Sequence, residues 1–268
     1  MTWIEALSRV RRRVSEVDPK LRAQVEKGAI PAHIGVIMDG NGRWAELRGL
    51  PRLEGHRVGS ESVRAITTAA RKLGVEDLTL YAFSSQNWDR PREEVEGLMD
   101  LLRSYLIQER PTVMENGIRF QAIGELSLLP ERVRTVLDEL QEVSRQNEGM
   151  LLSLALSYGG KEELVHAARA IARDVADGTL DPEEVDDVVF ASKLQSATIP
   201  DLDLCIRTSG ELRVSNFLPW QIAYAELVVT ETLWPDFREA AFFEALHAYQ
   251  KRERRFGLTG GQVRGTIG

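Results

Sequence analysis

Residues 34–44 read I-G-V-I-M-D-G-N-G-R-W and constrain the fold more than any other segment of the chain. The apolar residues before Asp39 are typical of a strand buried on both faces, as in a parallel sheet. Gly40 and Gly42 allow backbone N–H groups to approach a ligand, and the helix expected next adds a partial positive charge at its N-terminus. Arg43 can bind phosphate oxygens with two hydrogen bonds. The segment therefore predicts a phosphate-binding turn with one carboxylate at its edge.

Three functional interpretations and one structural interpretation of this turn are open. Residues 40–45 match the dinucleotide fingerprint G-x-G-x-x-A, but Asp39 would repel a bare pyrophosphate, and the second strand lacks the expected ribose-binding acid. An aspartyl phosphatase is expected to carry a second carboxylate two residues from Asp39, where this chain has Ile37 and Asn41. The third interpretation is a Mg²⁺-assisted diphosphate site with Asp39 as metal ligand. In the structural alternative, Asp39 only caps the helix.

Charge and cysteine content limit the class of protein and its compartment. The net charge of −7 and the pI of about 5.3 argue against nucleic acid as the main partner. The single Cys205 cannot form an internal disulfide, and no signal-peptide pattern opens the chain. No apolar run approaches the roughly 20 residues of a membrane-spanning helix. We expect a soluble, cytoplasmic protein.

Strand and helix patterns alternate along the chain, which is typical of βαβ units. Helices are predicted at 2–28, 56–73, 92–116, 130–147, 161–177, 182–194 and 238–250, and strands before Asp39 and at 76–83, 117–123, 150–157, 202–206 and 225–230. Pro111 should bend or interrupt the third helix. We expect an α/β protein: one domain over 31–268, with a mostly parallel, doubly wound sheet of about six strands and helices on both faces.

An amphipathic helical extension is predicted at 1–30, ahead of this domain. Its apolar residues fall near helical spacing, and four arginines lie between Arg9 and Arg13. A basic amphipathic helix can lie on a membrane surface, and it can equally be a solvated helix packed against the domain.

Three polar loops, at 39–43, 84–90 and 207–215, follow predicted strands. In open α/β sheets ligands bind outside the carboxyl ends of the strands, so these loops are expected to meet at one edge. Two arginine pairs lie there, Arg43 with Arg52 and Arg207 with Arg213, and two separate pairs suggest two diphosphates. The alternative for Arg207 is a local contact within residues 207–211, where Glu211 lies.

Two further residues have two interpretations each, and Glu226 has one. Trp88 offers an aromatic face to an isoprenoid chain or a developing carbocation, or it anchors its loop in the core. His56 can bind phosphate or cap its helix. Glu226, a carboxylate at the start of a buried strand, is costly unless paired, so we expect it to reach a metal beside Asp39.

A series of motifs in chain order carries a family resemblance. They are I-M-D-G-N-G-R-W at 37–44, Y-A-F-S-S-Q-N-W-D-R-P at 81–91, Y-G-G at 158–160, R-T-S-G-E at 207–211, S-N-F-L-P-W-Q-I-A-Y-A-E-L at 215–227 and W-P-D-F at 234–237. Over about 31–257 the chain resembles the cis-prenyltransferases, which are isoprenyl transferases of the undecaprenyl diphosphate synthase type. It departs from their pattern at Gln86, where Glu is usual, at Leu212, where some members have His, and at Ser209, where Gly is common.

The resemblance implies a Mg²⁺-dependent enzyme that condenses isopentenyl diphosphate onto an allylic diphosphate, with farnesyl diphosphate as the expected primer. It implies Asp39 as the catalytic and metal-binding aspartate, Asn87 as the proposed proton acceptor and Glu226 as a second metal ligand. It implies an allylic-diphosphate site formed by Gly40, Asn41, Gly42, Arg43, Trp44, Arg52, His56, Ser84, Ser85 and Gln86, flanked by Trp88 and Arg90. The isopentenyl-diphosphate site is implied at Arg207, Arg213, Val214 and Ser215.

The family also implies a homodimer, with residues 254–257 near its interface, and a polyprenyl diphosphate product whose release involves peripheral membrane contact. We expect an apolar tunnel between strands 76–83 and 150–157 and the helix that carries Leu98, Leu102 and Leu106. Ala82, Met150 and helix 92–116 are expected to set where it closes. The alternatives are a non-catalytic binding subunit of the same fold and a dinucleotide-binding oxidoreductase.

Overall fold

A computed structural model describes residues 16–252. The strands are β1 (His33–Ile37), β2 (Asp77–Ser84), β3 (Arg119–Ile123), β4 (Leu151–Tyr158), β5 (Leu204–Arg207) and β6 (Glu226–Val229). The helices are α1 (Pro19–Lys27), α2 (Asn41–Glu46), α3 (Arg52–Leu73), α4 (Arg92–Glu115), α5 (Glu131–Ser144), α6 (Gly160–Ala176), α7 (Asp187–Ser192) and α8 (Glu239–Gln250). Short 3₁₀ turns lie at Ser85–Asp89, Leu126–Leu128, Pro182–Glu184 and Trp234–Asp236. Within these residues no helix combines the length and the apolar character needed to cross a membrane.

The strands form one sheet in the order β3-β4-β2-β1-β5-β6, and every pair is parallel. This confirms the predicted parallel α/β fold. From β1 the chain builds the sheet first on the β2 side and later on the β5 side. The crevice between the carboxyl ends of β1 and β5 is therefore the topological switch point, where ligands bind in folds of this kind.

Apolar side chains fill a core on each face of the sheet, because successive residues of a strand point to opposite faces. Val36 and Ile206 belong to the core covered by α3, α4, α5 and α8. Ile37 and Cys205, one residue along in sequence, belong to the opposite core. On that side Glu163 of α6 accepts a hydrogen bond from Tyr158 of β4. Helices therefore flank the sheet on both faces, as predicted.

The prediction of one continuous helix over 2–28 is wrong, because residues 16–18 are not helical. Helix α1 begins only at Pro19, and the carboxylate of Asp18 accepts hydrogen bonds from the backbone N–H groups of Lys20 (2.7 Å) and Leu21 (3.1 Å). A capping Asp followed by Pro is a helix start, so residues 16–18 cannot continue an earlier helix. The arginines of the predicted extension and residues 254–257 lie outside the residues that the structure describes.

One other helix prediction fails for a local reason, and Pro111 does not interrupt its helix. The predicted helix 182–194 is divided because Asp181 and Asp186 each cap a separate short element. In contrast, α4 continues through Pro111 without interruption. The carbonyl that Pro111 leaves without a helical partner belongs to Ile107, a solvent-exposed residue, so water can satisfy it.

Candidate active site

The turn after β1 has the conformation that its glycines predict. Gly40 has a φ of +101° and is the N-cap of α2, which has no side-chain cap, so the interpretation of Asp39 as a helix cap is wrong. A Cβ on Gly40 would lie 2.9 Å from Leu233 Cδ2 and 3.1 Å from Ser209 Cβ. The backbone N–H of Asp39 donates to Thr208 Oγ1 (2.9 Å), whose hydroxyl donates to the Asp39 carbonyl (2.7 Å). The turn is therefore attached to the segment that follows β5.

Arg207 and Asp39 form an ion pair across the switch point. Arg207 Nη2 donates to Asp39 Oδ2 at 2.8 Å, and the two side chains are 4% and 31% exposed. Arg207 Nη1 donates to Ser215 Oγ (2.7 Å) and to the Arg213 carbonyl. Its Nε is buried and has no hydrogen-bond partner among the described residues. Arg207 therefore pairs with Asp39 and does not form the predicted local contact with Glu211.

Arg43 and Arg213 lie on the same rim although they are far apart in sequence. Arg43 Nη1 donates to the Ser209 carbonyl (3.1 Å), and its Nη2 lies 3.8 Å from Glu211 Oε1. Arg213 Nη1 donates to Glu211 Oε2 (2.6 Å). One carboxylate therefore joins an arginine from each predicted pair, which brings the two pairs together at Glu211.

The first arginine pair lines a polar cleft of about 190 Å³ around the turn. A Cβ on Gly42 would lie 2.5 Å from the guanidinium carbon of Arg52, so only glycine lets this guanidinium lie against the turn. Arg52 pairs with Glu46 and, at 3.5 Å, with Glu94; Glu94 also pairs with Arg90 at 3.2 Å. The cleft is lined by Met38, Asp39, Gly40, Asn41, Gly42, Arg43, Glu46, Arg52, His56 and Arg90.

His56 lies in this cleft and is neutral near neutral pH. Burial, and then the positive charges of Arg90 and Arg52, lower its pKa from 6.5 to about 4. An imidazole that shares a cleft with two guanidinium groups is suited to a site that receives an anion, because a bound diphosphate would raise that pKa. His56 therefore belongs to the cleft and is not a helix cap, since α3 begins at Arg52.

The low pKa of His56 predicts a pH dependence of stability. Between pH values of about 6.5 and 4 the unfolded chain protonates this residue and the folded protein does not, so stability falls as the pH falls. From about pH 7.5 to about pH 5 the wild type should lose about 2 kcal/mol more unfolding free energy than His56→Gln. Urea denaturation at both pH values measures this, with the exposed His166→Gln as the control that should behave like the wild type. Equal losses in the wild type and His56→Gln would contradict the prediction.

Two side chains of the loop after β2, Asn87 and Trp88, hold it in place. Asn87 Oδ1 accepts a hydrogen bond from the Ser84 backbone N–H (3.1 Å). Trp88 Nε1 donates to Ser157 Oγ (2.8 Å), and its ring packs edge-to-face on Phe83 at 5.0 Å. Trp88 therefore matches the loop-anchor interpretation. Of the other loop residues predicted to bind substrate, Gln86 is exposed, and Ser85 has a buried hydroxyl without a partner in the described part of the chain.

An apolar cavity of about 170 Å³ adjoins the polar cleft, and Met38, Asn41, His56 and Arg90 line both. Its walls are the predicted ones: Tyr81, Ala82 and Phe83 of β2, Leu154 and Leu156 of β4, and Leu98 and Leu102 of α4. Leu106 is the exception, because it lines a second, smaller cavity, and Met150 is buried in the core and lines neither cavity. Asn87, Tyr105 and Trp234 also line the apolar cavity.

The prediction that Glu226 shares a metal with Asp39 is wrong for a single chain. Glu226 pairs in register with Leu204, and Leu204 with Ile34, at the amino ends of these strands. Asp39 follows the carboxyl end of β1, and at about 3.3 Å per residue this separates the two carboxylates by roughly 17 Å along the sheet. Glu226 instead accepts a hydrogen bond from Arg252 Nη1 at 2.8 Å.

The remaining predicted residues have these positions. Ser215 has a positive φ and binds Arg207, and Val214 packs against the second core. Trp44 on α2 stacks under Arg48, with the guanidinium 4.0 Å from the ring centroid. Trp44 lines neither the cleft nor the apolar cavity.

Asp39 can hold a metal only together with a ligand. Across residues 16–252 no three His, Cys, Asp or Glu side chains come together as a metal site. Mg²⁺ usually keeps several waters and binds through one or two carboxylates plus substrate phosphates. A half-exposed Asp39 beside an arginine-lined cleft fits that mode of binding and does not fit an all-protein cage.

Several site residues were not assigned from the sequence, although three of them lie within recognised motifs. Trp234 of the W-P-D-F motif lines the apolar cavity and donates to the Gly59 carbonyl (2.9 Å). Thr208 and Glu211 stand within the R-T-S-G-E motif, beside the assigned Arg207. Glu94 follows the R-P motif at 90–91 and carried no motif signal of its own.

Comparison with known proteins finds relatives that match most of the chain. The Prenyltransf family model, which describes undecaprenyl diphosphate synthase, matches residues 37–257. An isoprenyl transferase of Chlorobaculum tepidum is 51% identical over 88% of this chain and 89% of its own length. An isoprenyl transferase of Bacillus subtilis is 44% identical over 91% and 94%. The crystal structure of lavandulyl diphosphate synthase from Lavandula x intermedia, in complex with dimethylallyl diphosphate, superposes with a TM-score of 0.83 at 38% identity, covering 87% of this chain and 99% of that one.

Proposed function

The chain belongs to the undecaprenyl diphosphate synthase family of prenyltransferases, and from that premise we propose that it is a Mg²⁺-dependent cis-prenyltransferase. It condenses isopentenyl diphosphate onto an allylic diphosphate, with farnesyl diphosphate as the expected primer, and forms a polyprenyl diphosphate such as undecaprenyl diphosphate. One observation carries the proposal: the two arginine groups meet at Asp39 and Glu211, beside a polar cleft that adjoins an apolar cavity.

Two diphosphate positions follow from the arginines. We assign the allylic diphosphate to the turn at 40–43 with Arg52, His56 and Arg90, because these groups line the polar cleft. Isopentenyl diphosphate is assigned to Arg207, Arg213 and Ser215 on the other side of Asp39. The hydrocarbon tail of the allylic substrate then lies in the apolar cavity, where its burial is favourable.

Carboxylates contact arginines of both groups. Glu94 bridges Arg52 and Arg90, and Glu211 bridges Arg43 and Arg213. Since a carboxylate and a phosphate are bound by guanidinium in the same way, these contacts indicate that the arginines are already oriented for anions. A bound substrate must either displace these carboxylates from the arginines or share the arginines with them.

The chemistry requires charge stabilisation on the leaving diphosphate and removal of one proton. Mg²⁺ held by Asp39 and substrate oxygens would neutralise part of the diphosphate charge, and Arg43, Arg52 and Arg90 would neutralise more. The proton lost from isopentenyl diphosphate has two candidate acceptors, Asn87 and a diphosphate oxygen. An amide is a weak base, and Oδ1 of Asn87 already accepts from Ser84. We therefore assign Asn87 a positioning role and the proton to the diphosphate.

The other parts of the proposal rest on the family alone. We propose a cytoplasmic homodimer in which 31–268 is the catalytic domain and 1–30 is an extension. Peripheral contact with a membrane would help to release the lipid product.

Product analysis tests the function directly. Purified protein with Mg²⁺, isopentenyl diphosphate and geranyl, farnesyl or geranylgeranyl diphosphate should yield polyprenyl diphosphates detectable by mass spectrometry, and chelation by EDTA should stop the reaction. Binding of both diphosphates without any product would instead support the non-catalytic subunit. Saturable binding in an NADH titration would support the oxidoreductase.

A further inference from the structure

Asn216 connects the segment after β5 to the start of helix α6. Its carbonyl accepts a hydrogen bond from the backbone N–H of Gly160 (2.9 Å), and its Oδ1 accepts one from the N–H of Lys161 (2.8 Å). Its Nδ2 donates to Glu162 Oε2 (2.9 Å). The N-cap of α6 is Gly159, which has no side chain that could bind the first N–H groups of the helix. The first turn of α6 is therefore capped by a residue from a distant segment of the chain.

The backbone around Asn216 has an unfavourable conformation. Ser215, Asn216 and Leu218 have φ values of +47°, +64° and +43°. Positive φ is uncommon outside glycine, and such strain persists only where the surrounding structure holds it. Contacts hold this segment from two sides: α6 binds Asn216, and the fully buried Phe217 stacks on Tyr81 with ring centroids 4.8 Å apart. The segment therefore depends on these contacts for its shape.

The side chain that this shape presents to the site is Ser215. Its Oγ accepts a hydrogen bond from Arg207 Nη1 (2.7 Å), and Arg207 Nη2 donates to Asp39 (2.8 Å). Ser215 is exposed, and a hydroxyl that accepts from a guanidinium can still donate its own hydrogen to an anion. A shift of the backbone at Asn216 would therefore move Ser215 and, through it, the guanidinium of Arg207.

Gly160 brings the start of α6 into direct contact with the same segment. A Cβ on Gly160 would lie 2.1 Å from Pro219 Cδ and 3.0 Å from the Asn216 carbonyl oxygen, so only glycine permits this approach. The Y-G-G motif at 158–160 and the motif that begins at Ser215 therefore meet at this point. In the alternative, Asn216 only caps the helix and stabilises the fold.

We propose that Asn216 is a positioning residue for isopentenyl diphosphate: its hydrogen bonds to the first turn of α6 hold Ser215 and Arg207 in the geometry that binds this diphosphate. The inference rests on the proposed function, because that function places isopentenyl diphosphate at these two residues. It also gives the Y-G-G motif a role, since its last glycine allows the helix to begin against Asn216.

The first test breaks the hydrogen bond between Asn216 and Glu162 and then restores it with donor and acceptor exchanged. Asn216→Asp keeps an acceptor for the N–H of Lys161 but places two carboxylates together. Binding of isopentenyl diphosphate with Mg²⁺, measured by titration calorimetry, should weaken about fivefold. In Asn216→Asp/Glu162→Gln the introduced amide donates to the introduced carboxylate, so most of this loss should be recovered. Glu162→Gln alone keeps an acceptor for Asn216 and should change the affinity by less than about twofold.

The second test separates positioning from a general loss of stability. Asn216→Gly removes both side-chain contacts, while glycine still accepts the positive φ. It should raise KM for isopentenyl diphosphate about tenfold, and KM for the allylic diphosphate by less than about twofold. The effect should be selective because the allylic diphosphate is assigned to the turn at 40–43, on the other side of Asp39.

Asn147→Ala is the matched control. Asn147 is half-buried like Asn216, and its Nδ2 donates to the Ile118 carbonyl (2.6 Å), next to the amino end of β3. This variant should lower Tm but leave both KM values unchanged. Wild-type affinity in Asn216→Asp, no recovery in the double variant, or equal changes of both KM values in Asn216→Gly would overturn the inference alone. A wild type that binds no isopentenyl diphosphate would overturn the proposed function together with it.

Discussion

Replacing Asp39 with Asn is expected to lower kcat by about 1,000-fold, because the change removes the negative charge that lines the polar cleft and pairs with Arg207. An amide cannot balance the charge of a cation or of Arg207. The fold should persist, since the backbone of residue 39 is held by Thr208 and Trp234 and not by its own side chain. Incorporation of isopentenyl diphosphate measured across a Mg²⁺ titration gives the rate, and thermal unfolding monitors the fold.

A surface ion pair of the same chemistry supplies the control for this variant. Asp100 accepts a hydrogen bond from Arg132 Nε at 2.9 Å, and both side chains are largely exposed. Asp100→Asn should therefore leave turnover unchanged, since exposed pairs contribute little. If Asp39→Asn kept wild-type turnover with the same Mg²⁺ dependence, the assignment of the metal to Asp39 would be wrong.

Replacing Arg207 with Lys should lower kcat/KM for isopentenyl diphosphate by about 100-fold, although the positive charge is kept. The buried guanidinium uses its two terminal nitrogens for different partners, Asp39 on one side and Ser215 with the Arg213 carbonyl on the other. A single ammonium group cannot hold both sides at these positions. Steady-state kinetics with each substrate varied in turn should show a larger effect for isopentenyl diphosphate than for the allylic substrate.

The two substitutions should also be coupled. Because Asp39 and Arg207 act as one pair, the double variant should lose clearly less activity than the product of the two single losses. The matched cycle on Asp100 and Arg132 should show no coupling. Independent effects of Asp39→Asn and Arg207→Lys would mean that the 2.8 Å contact between these side chains is not part of the working site.

The carboxylates that pair with the arginines were not foreseen from the sequence. Glu211 stands inside a recognised motif but was considered only as a local partner of Arg207, and Glu94 lies on a helix predicted only as a tunnel wall. Both bridge two arginines in the structure. Sequence reasoning missed them because each bridge joins segments whose proximity depends on how helices α2, α3 and α4 and the 207–215 loop pack together.

Predictions from local patterns succeeded where the determining interactions are local. The apolar run before Asp39 became a fully buried central strand, and Gly40 has the positive φ that this turn needs. The helix predicted at 2–28 failed because Asp18 and Pro19 make a helix start that outweighs the apolar spacing on either side. Trp88 shows the limit of composition alone, since a tryptophan in a polar loop serves a substrate or an anchor equally well until its neighbours are known.

The sequence by itself determined the order of strands and helices, the phosphate-binding turn and the family, because these depend on residue types at short and fixed spacings. Only the tertiary structure decided which of the suspected residues meet. The strand order β3-β4-β2-β1-β5-β6 puts Arg207 beside Asp39 at the carboxyl ends of the strands. The register of β6 places Glu226 at the amino ends of the strands. Pairing and register arise from packing summed over the whole sheet, so no single segment of the chain encodes them.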